Sequence, residues 1–243
     1  MSRARRPLPR GSVQGMATRR LLDRLWAEDA AGRSWCRVRL QVPPAASEKR
    51  ADPAPADGAP SDSLEAIARE AAACTRCKLA ASRTRVVPGE GARAPRIVFV
   101  GEAPGADEDR EGRPFVGRAG ALLTRMIAAM GFTREQVFIA NVLKCRPPGN
   151  RSPEPDEIAA CGDYLRRQLA LLAPEVIVPL GAHAARWLLG SAVTIGGVRG
   201  RIHAYGTAKV VPTFHPSYLL RKPEEKGKAW EDLQAAMAIL GPR

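Results

Sequence analysis

The sequence predicts an α/β protein, a three-layer α/β/α sandwich around a mostly parallel sheet. Two observations carry that reading. Short apolar runs recur at 97–100, 137–140 and 176–180, and such runs bounded by turn signals mark strands buried on both faces. Between them lie stretches whose apolar residues return every three or four positions. Strands that alternate with helices pack as a parallel sheet with helices on both sides.

Taken in order, residues 1–60 stand apart. The opening MSRARRPLPRGSVQG is basic and without pattern. Residues 17–31 carry Leu21, Leu22, Leu25 and Trp26 at the spacing of a short amphipathic helix, and 41–60 is rich in Pro and Ala with little to bury. We read 1–60 as a basic, disordered N-terminal arm and 61–243 as one globular domain. Ser61 or Ser63 is placed to cap a helix that runs into Cys74. The strand at 97–100 stops at Gly101. A helix at 119–132 turns Leu122, Leu123, Met126 and Ile127 inward and ends at Gly131. The second strand ends at Asn141, and a Pro-rich loop leads to a helix over 153–173. There Ile158, Cys161, Leu165, Leu169 and Leu172 share one face. After the third strand come a helix at 182–189, short strands near 201–205 and 208–212, the segment FHPSYLLR, and a closing helix at 226–239.

The length of 243 residues bounds one substantial core. A net charge of +13 favours a polyanionic partner through long-range attraction and counterion release. No run approaches the ~20 apolar residues of a membrane span. The Arg-rich N-terminus lacks the apolar stretch of a secretory signal, and Asp23, Glu28 and Asp29 speak against a mitochondrial presequence. Five cysteines, an odd number with one C-x-x-C pair, point to a reducing compartment and a metal or cluster rather than disulfides.

Gly101 and Gly105 open the turn after the first strand, where open α/β sheets bind their ligands. That turn carries Glu102 and an acidic run, Asp107, Glu108 and Asp109, and then Phe115 in a Gly/Pro loop. It lacks the Gly-Lys-Ser/Thr ending of a P-loop and the spacing of a dinucleotide fingerprint. Cys74 and Cys77 are spaced to bring two thiolates onto one metal, and Cys145 and Cys161 offer two more. The residues leave zinc and an iron–sulfur cluster equally open, beside the reading of unrelated buried thiols. Cys36, with no partner nearby in sequence, reads as a bystander. Asn141 and His215 stand at strand ends; His183 and His203 read as structural.

The segments CTRCKL, GEAPGADEDREGRPFVGRAG, NVLKCRPPGNRSPEPDEIAAC and HPSYLLR, in this order, resemble the family 4 uracil-DNA glycosylases. These are iron–sulfur members of the uracil-DNA glycosylase superfamily from bacteria and archaea. The resemblance covers about 64–240 and implies a central four-stranded parallel sheet. It implies a [4Fe–4S] cluster on Cys74, Cys77, Cys145 and Cys161 that orders loops near DNA. It implies a cytoplasmic monomer that acts on uracil-containing DNA, single- or double-stranded, and leaves an abasic site for base excision repair. The uracil pocket would comprise Gly101, Glu102, Ala103, Glu108, Phe115, Asn141 and His215. Phe115 would stack on the flipped base, and the Asn141 amide would match the uracil N3 donor and O4 acceptor. His215 would donate to O2 as charge develops there, and Glu102 would position water or stabilise the sugar cation. Glu108 would crowd the uracil C5 position and exclude thymine. Ser217, Tyr218, Leu219 and Arg221 would supply the duplex wedge and phosphate contacts, with Lys222 beside them.

Two rivals remain. One is a uracil-specific binder that crosslinks to the abasic sugar; that branch carries a basic, His-containing insertion between the third and fourth cysteines and Gln after the first-segment Glu. Here the interval has no His, and Ala103 follows Glu102. The other is a noncatalytic iron–sulfur or zinc module that binds nucleic acid without releasing a base. With no lysine placed for a Schiff base, a glycosylase of this kind works by simple hydrolysis.

Overall fold

The computed structural model describes residues 62–190 and 192–241. The expected N-terminal arm, the helix at 17–31 and Cys36 therefore lie outside the described residues. Among the described residues six strands make one sheet: β1 (Glu90–Gly91), β2 (Ile97–Gly101), β3 (Phe138–Asn141), β4 (Val176–Pro179), β5 (His203–Tyr205) and β6 (Ala208–Val210). Their order is β1-β3-β2-β4-β6-β5. The inner four, β3-β2-β4-β6, run parallel, and β1 and β5 add antiparallel edges. The expected four-stranded parallel sheet is thus the centre of a six-stranded one. β1 is two residues long, too short to leave an alternating pattern.

The helices are α1 (Leu64–Ala72), α2 (Ala106–Glu111), α3 (Arg118–Ala129), α4 (Pro155–Leu172), α5 (Ala182–Leu189), α6 (Ile195–Val198), α7 (Pro216–Arg221) and α8 (Lys226–Leu240). Ser63 caps α1, its Oγ accepting from Ala66 N at 3.0 Å. α3 gives way to Gly131, whose φ of 80° only glycine adopts without strain. α2 lies where the acidic run suggests a turn. Six residues with one buried member, Asp109, show no apolar stripe, so periodicity is silent there. Asp107 and Glu108 sit in its first turn, where negative charge meets the positive end of the helix dipole.

β2 and β3 are buried along their whole length. Val98, Val100, Phe138, Ala140 and Ile177 turn one way and pack with Leu165, Leu169 and Leu172 of α4 and Ala184 and Leu188 of α5. The alternate residues Ile97, Phe99, Ile139 and Val178 are buried as well and face the opposite side. α8 packs against β4, and α7 against α3. From β2 the chain crosses to β3 on one side and then back past β2 to β4 on the other. That reversal of strand order opens a crevice at the carboxyl ends of the strands.

Candidate active site

A cavity of about 220 Å³ opens at this crevice. That is below the ~300 Å³ where pockets for drug-sized ligands begin, and suits one small ring. Glu102, Ala103, Glu108, Phe115, Asn141, His215 and Ser217 line it. So residues from three separate strand ends, expected to form one pocket, do meet. Gly101, expected among the pocket residues, is not part of the lining; it lies against Asn141 and Phe115, which are, and its reason for being glycine differs from the expected tight turn. Its φ is not in the left-handed range; instead a Cβ there would overlap Asn141 Oδ1 and the Phe115 ring. Close approach, not backbone freedom, requires the missing side chain.

Asn141 ends β3 and is 1 % exposed. Its Oδ1 is buried with no hydrogen-bond partner in the protein. An unpaired buried acceptor costs about 1–3 kcal/mol, so native proteins hold few of them without a use. Here the acceptor belongs to a residue that lines the cavity.

His215 precedes α7, and its Nδ1 accepts from Ser217 N at 3.1 Å. An accepting Nδ1 bears no proton, so in the neutral ring Nε2 carries it and is the donor. Burial, reinforced by the charges of Arg221 and His183, lowers the His215 pKa from 6.5 to about 4. The ring is therefore neutral at physiological pH. Gly181, at φ 87°, passes close behind: a Cβ there would stand 3.0 Å from His215 Cβ. The His215 and Phe115 rings lie 5.7 Å apart, tilted by 34°. Phe115 itself sits at φ 53°, a conformation rare and strained for a bulky residue.

Glu102 is half-buried, and burial raises its pKa above the ordinary 4.5, against the opposing pull of His183 and then Arg186. His183 Nε2 lies 3.8 Å from Glu102 Oε1. His183, structural by its sequence pattern, thus belongs to the site's electrostatics. Only the packing of α5 against β2 brings it there. Glu108 lines the cavity with both carboxylate oxygens in use: Oε1 accepts from Val116 N (2.9 Å) and Gly117 N (3.1 Å), and Oε2 from Gly105 N (3.1 Å). Those bonds tie the turn after β2 to the Phe115 loop. Asp109 likewise accepts from the Thr84 and Arg85 amides.

Pro147, Asn150 and Arg151 also line the cavity, and sequence reasoning did not assign them. They belong to the loop between Cys145 and Cys161. Arg151 donates to both oxygens of the buried Glu157 in the first turn of α4, at 2.9 and 2.5 Å. Asn150 takes φ 55° and accepts from Arg146 Nε at 2.8 Å.

Behind that loop Cys74, Cys77, Cys145 and Cys161 line a second, smaller cavity. Among the described residues no group of three or more His, Cys, Asp or Glu gathers as for a single metal ion. Arg83 Nη1 donates to Cys145 Sγ at 3.5 Å, and Lys144 N to Cys161 Sγ at 3.2 Å. Burial raises the Cys145 thiol pKa and lifts that of Cys161 to about 11. Burial also opposes ionisation of Cys74, but hydrogen bonds from Tyr164 and Arg76 outweigh it and bring that thiol down. Lys144 is fully buried, its Nζ donating to Asn141 O (2.9 Å) and Gln168 Oε1 (2.7 Å). It is tied to the strand end and turned to α4, so no Schiff-base lysine comes from here.

The expected duplex wedge is corrected at one residue. Leu219 is fully buried, with Pro216, on the inner side of α7. A core side chain cannot enter a duplex without opening the α7–α3 packing. Leu220 is half-exposed instead, and Arg221 and Lys222 are exposed. Ser217, Leu220 and Arg221 fall three and four residues apart and so share one side of the helix, the side that begins at the cavity. Tyr218 lies against Phe214, ring centroids 5.0 Å apart.

A doubly wound sheet with a small pocket at its switch point, lined by an amide, an imidazole, an aromatic ring and a carboxylate, defines an α/β protein with its candidate site at the carboxyl ends of the strands. The family model for the uracil DNA glycosylase superfamily matches residues 88–234, and the chain belongs to that superfamily. It is 49% identical over 181 residues to the type-4 uracil-DNA glycosylase of Thermotoga maritima, covering 73% of this chain and 94% of that one. The type-4 enzyme of Archaeoglobus fulgidus is 44% identical over 190 residues, 75% of this chain and 96% of its own. That of Sulfurisphaera tokodaii is 47% identical over 182 residues, 71% and 83% respectively. Among the described residues no helix is long and apolar enough to cross a membrane.

Proposed function

We propose that this protein hydrolyses the N-glycosidic bond of uracil in single- or double-stranded DNA, releasing uracil and leaving an abasic site for base excision repair. The observation that carries the proposal is the buried, unpartnered Oδ1 of Asn141 at the cavity wall. Uracil supplies the missing donor at N3–H, and the same amide's N–H meets O4. Cytosine presents an acceptor and a donor in those places, so both pairs would clash. Mismatches of that kind separate analogues by up to roughly 10⁴–10⁵.

The base must leave the stack, at a cost of a few kcal/mol. Stacking on Phe115 returns about 1–3 kcal/mol. As the C1′–N1 bond breaks, electrons flow into the ring and negative charge grows on O2. The Nε2–H of neutral His215 donates there; a hydrogen bond to a charged group contributes about 1.5–3 kcal/mol, and it strengthens as that charge grows. Glu102 takes the proton of the water whose oxygen bonds to C1′, and uracil leaves as the N1 anion. The raised Glu102 pKa suits such a base. The site residues of the intervening loop, Pro147, Asn150 and Arg151, offer no nucleophile, which favours turnover over a lasting adduct.

Cys74, Cys77, Cys145 and Cys161 would hold a [4Fe–4S] cluster. Four thiols lining one cavity are the donor set that such a cluster takes. The N–H groups of Lys144 and Arg83 on two of the sulfurs favour thiolates. The cluster's part is to fix the ends of the loop that carries Pro147, Asn150 and Arg151. We read the protein as a monomer, with Arg221 and Lys222 on phosphates and Leu220 at the mouth of the site.

Incubation with a uracil-containing oligonucleotide tests the proposal. Free uracil and an abasic strand are expected, under multiple turnover. A denaturation-resistant protein–DNA adduct, or binding without base release, would overturn it.

A further inference from the structure

Phe115 holds a strained backbone, and something must hold it there. Arg134 does not line the cavity, yet its guanidinium reaches the loop from the 3₁₀ turn Arg134–Gln136 that leads into β3. Nη2 donates to Pro114 O at 2.7 Å and Nη1 to Phe115 O at 3.1 Å. Nη1 also donates to Thr124 Oγ1 at 3.2 Å, while Nη2 and Nε donate to Glu90 Oε1 at 2.6 and 3.3 Å. All five N–H donors of the guanidinium are thereby used. Glu90 stands on β1 and takes Arg113 of the same loop through its other oxygen, at 2.8 Å. Arg134 and Glu90 are mostly buried, 15% and 23% exposed, so water competes little for these bonds. A Cβ at Gly120 would overlap the same Phe115 carbonyl. β1 pairs with β3, which carries Asn141. The ring and the amide are thus referenced to one strand.

We propose that Arg134, braced by Glu90, is a positioning residue that locks Phe115 in its left-handed backbone so that the ring faces a base read by Asn141. The inference rests on the uracil-excision reading. It deepens that reading by naming what orients the stacking platform. Lysine does not reproduce this arrangement, because an ammonium has three donors on one atom, whereas the guanidinium makes five bonds to four acceptor atoms from a planar fork.

A double-mutant cycle on the full chain tests it, with kcat/KM for a uracil oligonucleotide and the melting temperature measured for each protein. Phe115→Ala is expected to lower kcat/KM by roughly 5- to 150-fold, the worth of one stacked base. Arg134→Lys is expected to lose a large part of that factor in the wild-type background and nothing further in the Phe115→Ala background. Equal losses in both backgrounds would overturn the proposal, as would a folded Arg134→Lys protein of wild-type kcat/KM. If Arg134→Lys does not fold, Glu90→Gln takes its place in the cycle: a loss confined to the wild-type background supports the clamp, and equal losses in both overturn it. Should wild-type protein release no uracil, the excision reading falls and this inference with it. Should Phe115→Ala lose activity while the cycle is additive, only the clamp falls.

Discussion

Replacing Asn141 by alanine separates function from stability more sharply than any other change at the site. In the free protein the side chain carries a buried Oδ1 with no partner. Removing it relieves a desolvation cost of about 1–3 kcal/mol, set against a small cavity. The melting temperature is therefore expected to hold or rise. In the complex the same change strands uracil N3–H and O4 inside the pocket. At about 1–3 kcal/mol for each stranded group, the loss is about 2–6 kcal/mol, or roughly 30-fold to 10⁴-fold in kcat/KM. Single-turnover excision from a uracil oligonucleotide and a thermal melt of the same preparation read the two effects. Activity within threefold of wild type would refute the amide as the base reader. A fall in melting temperature large enough to account for the lost activity would refute the claim that the orphaned acceptor is kept for the substrate.

The pH profile should show an acid limb from Glu102: a base must be deprotonated, so the rate falls as pH drops through a pKa held above 4.5 by burial. His183→Asn removes a pull in the opposite direction and should move that limb to higher pH; an unmoved limb would detach His183 from the site. His215, whose pKa is lowered to about 4, binds its proton later than an unfolded chain does near 6.5, so it contributes a loss of stability as pH falls from 6.5 towards 4. His215→Gln should flatten that slope in denaturant titrations, and an unchanged slope would contradict a ring held neutral in the folded protein. Leu219→Ala should cost about 2–5 kcal/mol in unfolding experiments as a core truncation, while Leu220→Ala should slow excision from duplex more than from single strands with little change in stability. Cys161→Ser should abolish the brown colour of a cluster and lower excision through Pro147, Asn150 and Arg151; full colour in that variant would remove Cys161 from the ligand set.

Much of this protein is written in local pattern. The strands β2, β3 and β4 are continuous apolar runs bounded by turn signals, and α3, α4 and α8 carry their buried residues at helical spacing, so the sandwich follows from those runs and a period of 3.6. The order of the segments around Cys74, Glu102, Asn141 and His215 was also sufficient to nominate the site. What only the tertiary structure decided are matters of direction and partnership. Neighbouring leucines at 219 and 220 look alike in sequence, and the rotation of α7 against α3 sends the first inward and leaves the second at the surface. His183 is one of many helical residues until α5 docks beside β2 and sets it against Glu102. Gly101 reads as a turn glycine, but the space it leaves is filled by Asn141 and Phe115, which arrive from distant parts of the chain. Arg134 carries no signal of its own, because the carbonyls of Pro114 and Phe115 have no letter in the sequence and its side-chain partners Glu90 and Thr124 lie 44 and 10 residues away.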